Sequence, residues 1–390
     1  MAQAGSGTVR TGFELVAEEF SRNFTDRGEV GAAFAATLDG EVLVDLWGGF
    51  ADSVRCRPWS ADTAQVVFSG GKGFVALCLL VLADRGLLDL EAPVARYWPE
   101  FAAHGKGSLT VAEVASHRCR LPAVRTPISR DDLLDPLRLA TLLGDQGMET
   151  DPRAAFVYHP LTYGWLCGEI VRRVDGRSVG AFFAEEIARP LGLDLWIGIG
   201  PELEDRVARL EYAPDWGTTF SVSAAEAAAD PLRAAIWANP PGHTPEDNFW
   251  NLPAFHQAEI PAATAIGTAR SIARLYGCLA RGGELDGVRI VSEDTLVSGR
   301  RERSRGVDPF LGEPMAFGVG FQLQTEIMAF GPPPDAYGHR GAGGSVHGVW
   351  PTERIGVSYA MNQLRASQMV DPRADALLTS LYSAVKRQEG

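Results

Sequence analysis

Lysine is nearly absent from this 390-residue chain: Lys72, Lys106 and Lys386 are the only three among 36 basic residues. The rest of the positive charge is arginine, so each lysine calls for a reason. With 49 acidic residues the formal net charge is −13, and no block of like charge interrupts the mixture. That balance argues against nucleic acid or an anionic membrane as the partner and leaves a small molecule. Cysteine is sparse too. Cys56, Cys78, Cys119, Cys167 and Cys278 are odd in number and widely spread, with no C-x-x-C pair. They read as free thiols of a reducing compartment rather than a disulfide framework. The seven histidines form no H-E-x-x-H and no pair on a helical face, so no metal and no other cofactor is expected. The opening MAQAGSGTVR lacks the apolar core of a signal peptide. The longest apolar run, FVALCLLVLA, is ten residues, too short to cross a bilayer. A cytoplasmic address is expected. The oligomeric state stays open, a homo-oligomer included.

What the chain does have is a large apolar share, 46% hydrophobic residues, enough for one large core or two interleaved domains. Residues 13–27 carry a helical apolar period. Two apolar runs flank Asp39-Gly40, a strong hairpin signal. In SLTVAEVASHRCRLP, Thr110 and Glu113 form a capping box for a short helix that stops before Pro122. LTYGWLCGEIVRRVDG reads as a helix closed by Gly176, and ARSIARLYGCLARGG as an amphipathic one. Residues 238–262 are proline-rich and irregular, as a lid or binding loop would be. Beyond about residue 315 the pattern turns strand-like before a final helix. No repeat or low-complexity linker appears. The expected architecture is an α/β domain built from residues 1–75 and 300–390, with a mostly helical insertion at 76–299.

Chemistry concentrates in VVFSGGKGFVALCLLVLADRG, residues 66–86. Three glycines and a lysine make a poor start for a helix that is otherwise apolar on every side. Ser69 and Lys72 form S-x-x-K, which puts both side chains on one helical face. Serine is a poor nucleophile until a base takes its proton. Burial and the positive end of a helix dipole both favour a neutral lysine, which is such a base. The glycines are expected to leave room for a substrate and to let the Ser69 N–H face it. Ser383 and Lys386 repeat the spacing in the polar C-terminal tail, without glycines or an apolar helix, and read as an accident. Tyr158, in FVYHPLTYG just before a helix, could direct a phenol into a cleft, although a core tyrosine fits the local sequence equally well. GHRGAGGS, residues 338–345, could bring a strand edge close to a substrate carbonyl, with His339 supplying a hydrogen bond. A β-bulge would explain its glycines as well.

These elements, in this order, resemble the serine β-lactamase and penicillin-binding-protein superfamily, and most of all class C β-lactamases and the family VIII carboxylesterases. The resemblance runs along nearly the whole chain, from the opening hairpin through SGGKGF, LLDLEAPVARYWPEF, SHRCRLP, VYHPLTYGWLCGEIV and GTARSIARLYGCLARGGELDGVRIVS to GHRGAGGS. It implies a β-lactamase/transpeptidase-like fold, an antiparallel sheet flanked by helices and built from both chain ends. It also implies Ser69 as the acyl-forming nucleophile, Lys72 as its base and Tyr158 as the tyrosine of a Tyr-x-Asn element. His339-Arg340-Gly341 would replace Lys-Thr-Gly, with the Ser69 and Ala342 N–H groups as the oxyanion hole.

Three departures bear on the substrate. Pro160 stands where lactamases carry Asn, His339 where they carry Lys, and Cys119-Arg120 where Ser-Gly is usual. A β-lactam would lose an amide partner and a cation for its carboxylate, whereas a small ester needs neither. Arg340 is expected on the opposite strand face from its neighbours. His117 reads as structural, and Cys119 as a packing residue because no motif places a histidine beside it. The expected function is therefore a serine carboxylesterase-type hydrolase with weak or no β-lactamase activity. An acyltransferase, an amidase or peptidase for D-amino-acid compounds, and a non-catalytic binding protein remain as alternatives.

Overall fold

The computed structural model describes residues 5–216, 222–240, 247–366 and 370–389. Part of the proline-rich stretch 238–262 thus lies outside the described residues. Where it is described it carries the short helical turns Phe249–Asn251 and Pro253–Gln257.

A ten-stranded sheet forms the scaffold. Along it lie Ser6–Val9, Glu41–Asp52, Gly31–Leu38, Ile355–Met361, Val346–Trp350, Tyr337–Arg340, Gln322–Leu323, Pro314–Phe317 and Ser304–Val307, with Arg57–Pro58 on Glu41–Asp52. Every neighbouring pair is antiparallel. The two chain ends meet where Gly31–Leu38 pairs with Ile355–Met361. Asp39 and Gly40, both at positive φ, close the hairpin, as their turn chemistry predicts.

Period-2 alternation in Gly31–Leu38 explains the two covered faces. Phe34 and its cross-strand partner Tyr359 point to one side, where Tyr359 joins residues of the terminal helix Pro372–Glu389. That helix packs with Glu14–Asp26. Ala33, Ala35 and Ala360 point to the other side and receive Ala269 and Ala273. Small residues on both partners let the helix Ala269–Ala280 come close: a Cβ on Gly356 would lie 2.1 Å from the Gly277 nitrogen. This helix belongs to the 76–299 stretch by sequence yet lies on the sheet, so that stretch is not separate from the α/β body there.

The helix Lys72–Asp84 is buried without interruption from Lys72 to Leu82 and packs against Thr162–Asp175, which ends at Gly176 with φ 96°. The Thr110–Glu113 capping box is formed, although its helix ends early, at Ala115. All five cysteines are free thiols. No helix among the described residues is long and apolar enough to cross a membrane.

Candidate active site

A small antiparallel sheet leads into Ser69. Gln65–Val66 pairs with Ala265–Gly267, and the Val67 N–H donates to the Ala265 carbonyl at 2.9 Å. The chain then turns sharply. Phe68 sits at φ 46°, a left-handed conformation that costs a non-glycine residue on the order of 1–3 kcal/mol. The 3-10 turn Phe68–Gly71 runs directly into the Lys72 helix.

The glycines do not make room for a substrate. A Cβ on Gly70 would meet the His347 ring at 2.6 Å, one on Gly71 the Ala265 Cβ at 2.6 Å, and one on Gly73 the Tyr276 hydroxyl at 2.4 Å. They let the turn that carries Ser69 be pressed against His347, Ala265 and Tyr276. Gly341 does the same from the strand side, since its Cβ would lie 2.3 Å from the Val67 carbonyl oxygen and 2.2 Å from Ser345 Oγ. Gly341→Ala is therefore expected to cost about 1–3 kcal/mol of stability, read from denaturant unfolding, and to lower turnover as the strand end backs away. Wild-type stability in that variant would mean the contact is slack.

Lys72 is fully buried, and its Nζ has three close neighbours: the Pro160 carbonyl at 2.7 Å, the Ala262 carbonyl at 3.2 Å and Ser69 Oγ at 2.9 Å. Burial pushes its pKa well below the ordinary lysine range, and no carboxylate is among the groups that offset this. Nζ donates to all three oxygens, and with no carboxylate beside it the amine is a candidate proton acceptor once it loses its proton.

Tyr158 completes this group. Its ring lines the same cavity as Ser69, and Lys72 Nζ lies 4.9 Å from its centre. Burial raises the phenol's pKa, so it keeps its proton. The ring stacks on Phe317 with centroids 6.0 Å apart. Asp308 is the residue sequence reasoning missed here. One of its carboxylate oxygens accepts the Tyr158 N–H at 2.7 Å, and the other accepts those of Phe310 and Leu311 at 2.9 and 2.8 Å. It lies 150 residues from Tyr158, and no local pattern joins the two.

His339, at the end of the strand Tyr337–Arg340, is buried beside the same cavity. Burial pushes its pKa well below 6.5, so the ring is neutral. Its Nδ1 donates to the Arg340 carbonyl at 2.8 Å. Arg340 corrects an expectation. Instead of pointing away, it lines the cavity and pairs with Glu313 at 2.8 Å. The strand ends at Arg340 and the chain turns through 341–345, so alternation no longer sets direction there.

The cavity, about 170 Å³, opens onto Ser69, Tyr158, His339, Gly341 and Ala342. Its walls include the aromatic side chains of Phe68, Tyr212, Trp216, Trp237 and Trp250. Tyr212, Trp216, Trp237 and Trp250 come from separate short pieces of chain, among them the strand Glu211–Tyr212 and the helix Pro231–Trp237, and no sequence motif joins them.

Two neighbouring groups stay outside the cavity. His117 is fully buried, accepts the His159 N–H at 3.1 Å on Nδ1, and lies 4.3 Å from the Phe317 ring centre. Cys119 does have a histidine beside it, His159 Nε2 at 3.3 Å, contrary to the reason for reading it as packing. Both are fully buried; burial pushes the thiol up to about 12 and the imidazole down to about 4. That pair holds its proton on sulfur and makes no thiolate. Ser383 sits exposed on the last helix, and Lys386 pairs with Glu353 at 3.2 Å, so this second S-x-x-K assembles no site.

A family model described as Beta-lactamase matches residues 17–380. The esterase/beta-lactamase LipL of Mycobacterium tuberculosis is 36% identical over 370 residues, covering 91% of this chain and 82% of LipL. Among solved structures, a family VIII carboxylesterase superposes with a TM-score of 0.89 at 38% identity, covering 97% of this chain and 99% of that one. A penicillin-binding-protein homologue from Caulobacter crescentus gives 0.87 at 36% identity, covering 98% and 100%.

Proposed function

The chain belongs to the beta-lactamase family, and from that premise we propose that it is a carboxylesterase working through an acyl-enzyme on Ser69. The observation that carries this reading is the Lys72 amine, fully buried with no carboxylate among its hydrogen-bond partners and with Nζ 2.9 Å from Ser69 Oγ. Once deprotonated, it would keep its two N–H groups on the Pro160 and Ala262 carbonyls and turn its lone pair to Ser69.

In the proposed reaction the Ser69 proton passes to Lys72 as Oγ bonds to the ester carbonyl carbon. The carbonyl oxygen takes the negative charge and is met by the Ser69 and Ala342 N–H groups, donors of the kind worth a few kcal/mol in a transition state. When the C–O bond breaks, the leaving alkoxide takes the Tyr158 proton, and the Lys72 proton restores the phenol. Water then repeats the sequence on the acyl-enzyme and frees the acid. An added alcohol or amine in place of water would make the same chemistry an acyl transfer.

The cavity supports a small, largely apolar ester. A β-lactam carries a carboxylate that needs a cation. His339 is held neutral, and the Arg340 charge is matched by Glu313. Pro160 offers no side-chain amide. Short p-nitrophenyl esters are therefore expected to give far higher kcat/KM than a chromogenic cephalosporin. His339→Lys should improve cephalosporin acylation more than ester turnover. A wild-type cephalosporin rate equal to that of its best ester would contradict this substrate assignment.

A further inference from the structure

Behind the turn 341–345 lies a buried charged cluster that the proposed reaction does not use. Arg373 is fully buried at the start of the last helix. Its Nη1 donates to Glu29 Oε1 at 3.0 Å and to the Gln363 carbonyl at 3.1 Å. Its Nε and Nη2 donate to the two oxygens of Asp371 at 3.0 and 2.8 Å. The other Glu29 oxygen accepts the Tyr359 hydroxyl, and the Asn23 amide donates to the Arg373 carbonyl at 3.2 Å. Buried ion pairs of this kind are weak sources of stability, because desolvation offsets their attraction.

One contact of the cluster points toward the site. Arg373 Nη2 donates at 3.0 Å to the Gly343 carbonyl, which also accepts the Arg365 N–H at 3.3 Å. Asp371 presses on the next residue, since a Cβ on Gly344 would lie 2.1 Å from its Oδ2. Gly343 and Gly344 sit at φ 85° and 123°. Two successive glycines have wide backbone freedom unless something holds them. The Gly341 N–H closes the base of the turn on the Ser345 carbonyl at 2.9 Å. The guanidinium holds its tip.

We propose that Arg373 is a positioning residue for the oxyanion side of the site. By fixing the Gly343 carbonyl it sets where the neighbouring Ala342 N–H lies relative to Ser69. The inference rests on the proposed acyl-enzyme chemistry at Ser69, in which that N–H meets the oxyanion. A shift of about 1 Å in such a group can cost on the order of 10²-fold in rate. Lysine would keep the charge beside Glu29 but not the planar fork that reaches Asp371 and Gly343 together.

The test compares Arg373→Lys and Asp371→Asn with the parent protein. The readouts are p-nitrophenyl ester kinetics, thermal unfolding, and affinity for a trifluoromethyl ketone, whose serine adduct carries an oxyanion. Arg373→Lys is expected to lose about 10- to 100-fold in kcat with KM changed by less than about threefold. Ketone affinity should fall by the same factor as kcat/KM. Asp371→Asn, which keeps the guanidinium but loosens its anchor, should show the same pattern more weakly, and it carries the test if Arg373→Lys does not fold. Lower melting temperatures with kcat and ketone affinity of the folded protein unchanged would overturn the inference and leave the cluster purely structural. Failure of the underlying reading looks different: Ser69→Ala would then retain turnover. If only the positioning role is wrong, Ser69→Ala is inactive while both cluster variants keep full kcat.

Discussion

Ser69→Ala is expected to lower turnover of a short p-nitrophenyl ester by at least about 10³-fold while leaving thermal stability nearly unchanged. The asymmetry follows from the surroundings. Ser69 is partly exposed at the cavity, its hydroxyl accepts from Lys72 Nζ, and Tyr158 lines the same cavity. Removing it takes away the cavity hydroxyl that Lys72 Nζ contacts. It leaves the two carbonyl contacts of Lys72 and the Tyr158–Phe317 stack in place. Ser383→Ala, on the exposed face of the last helix, should turn over like the parent. Steady-state kinetics on both variants decides the matter. A Ser69→Ala protein with near-parental turnover would remove the nucleophile from the mechanism.

The second large effect is non-additive. Lys72→Ala and Tyr158→Phe should each cost on the order of 10²–10⁴ in kcat, and the double variant little more, because groups that pass one proton among them fail together. Lys72→Ala also leaves the buried Pro160 and Ala262 carbonyls without that donor, so its loss of activity must be measured on folded protein. Tyr158→Phe keeps the ring against Phe317 and isolates the hydroxyl. Losses that multiply would mean two independent roles. The pH dependence has a definite sign. Burial lowers the Lys72 pKa, and the amine is a base only when deprotonated. The kcat/KM limb assigned to it therefore rises with pH and lies well below the ordinary lysine value of about 10.4. The same group works against folding. Unfolded Lys72 holds a proton that the native state releases, so its cost to stability shrinks as pH rises from the folded value toward the unfolded one.

Much of this was legible in the sequence where one short segment carried both cause and consequence. The Asp39-Gly40 turn, the Thr110–Glu113 capping box and Gly176 each announce a local structure that forms. Ser69 and Lys72 stood out because a lysine in an all-apolar helix needs an explanation. The Gly70, Gly71 and Gly73 signal was legible as a need for small residues but not for what. Their neighbours, His347, Ala265 and Tyr276, come from distant segments. Arg340 was misdirected because strand alternation stops where the strand does. Asp308 under Tyr158, Glu313 beside Arg340 and His159 beside Cys119 are pairs made only by the fold, between 27 and 150 residues apart.

The most direct test is to quench the protein within its first turnovers of a slowly deacylating p-nitrophenyl ester, weigh it intact, and map the adduct by peptide. The expected result is a mass gain of one acyl group per chain on the peptide containing Ser69, absent in Ser69→Ala and formed far more slowly in Lys72→Ala. An adduct confined to the Ser383 peptide, or to a cysteine, or full turnover with no acyl intermediate in any variant, would contradict an acyl-enzyme built on Ser69 and a neutral Lys72.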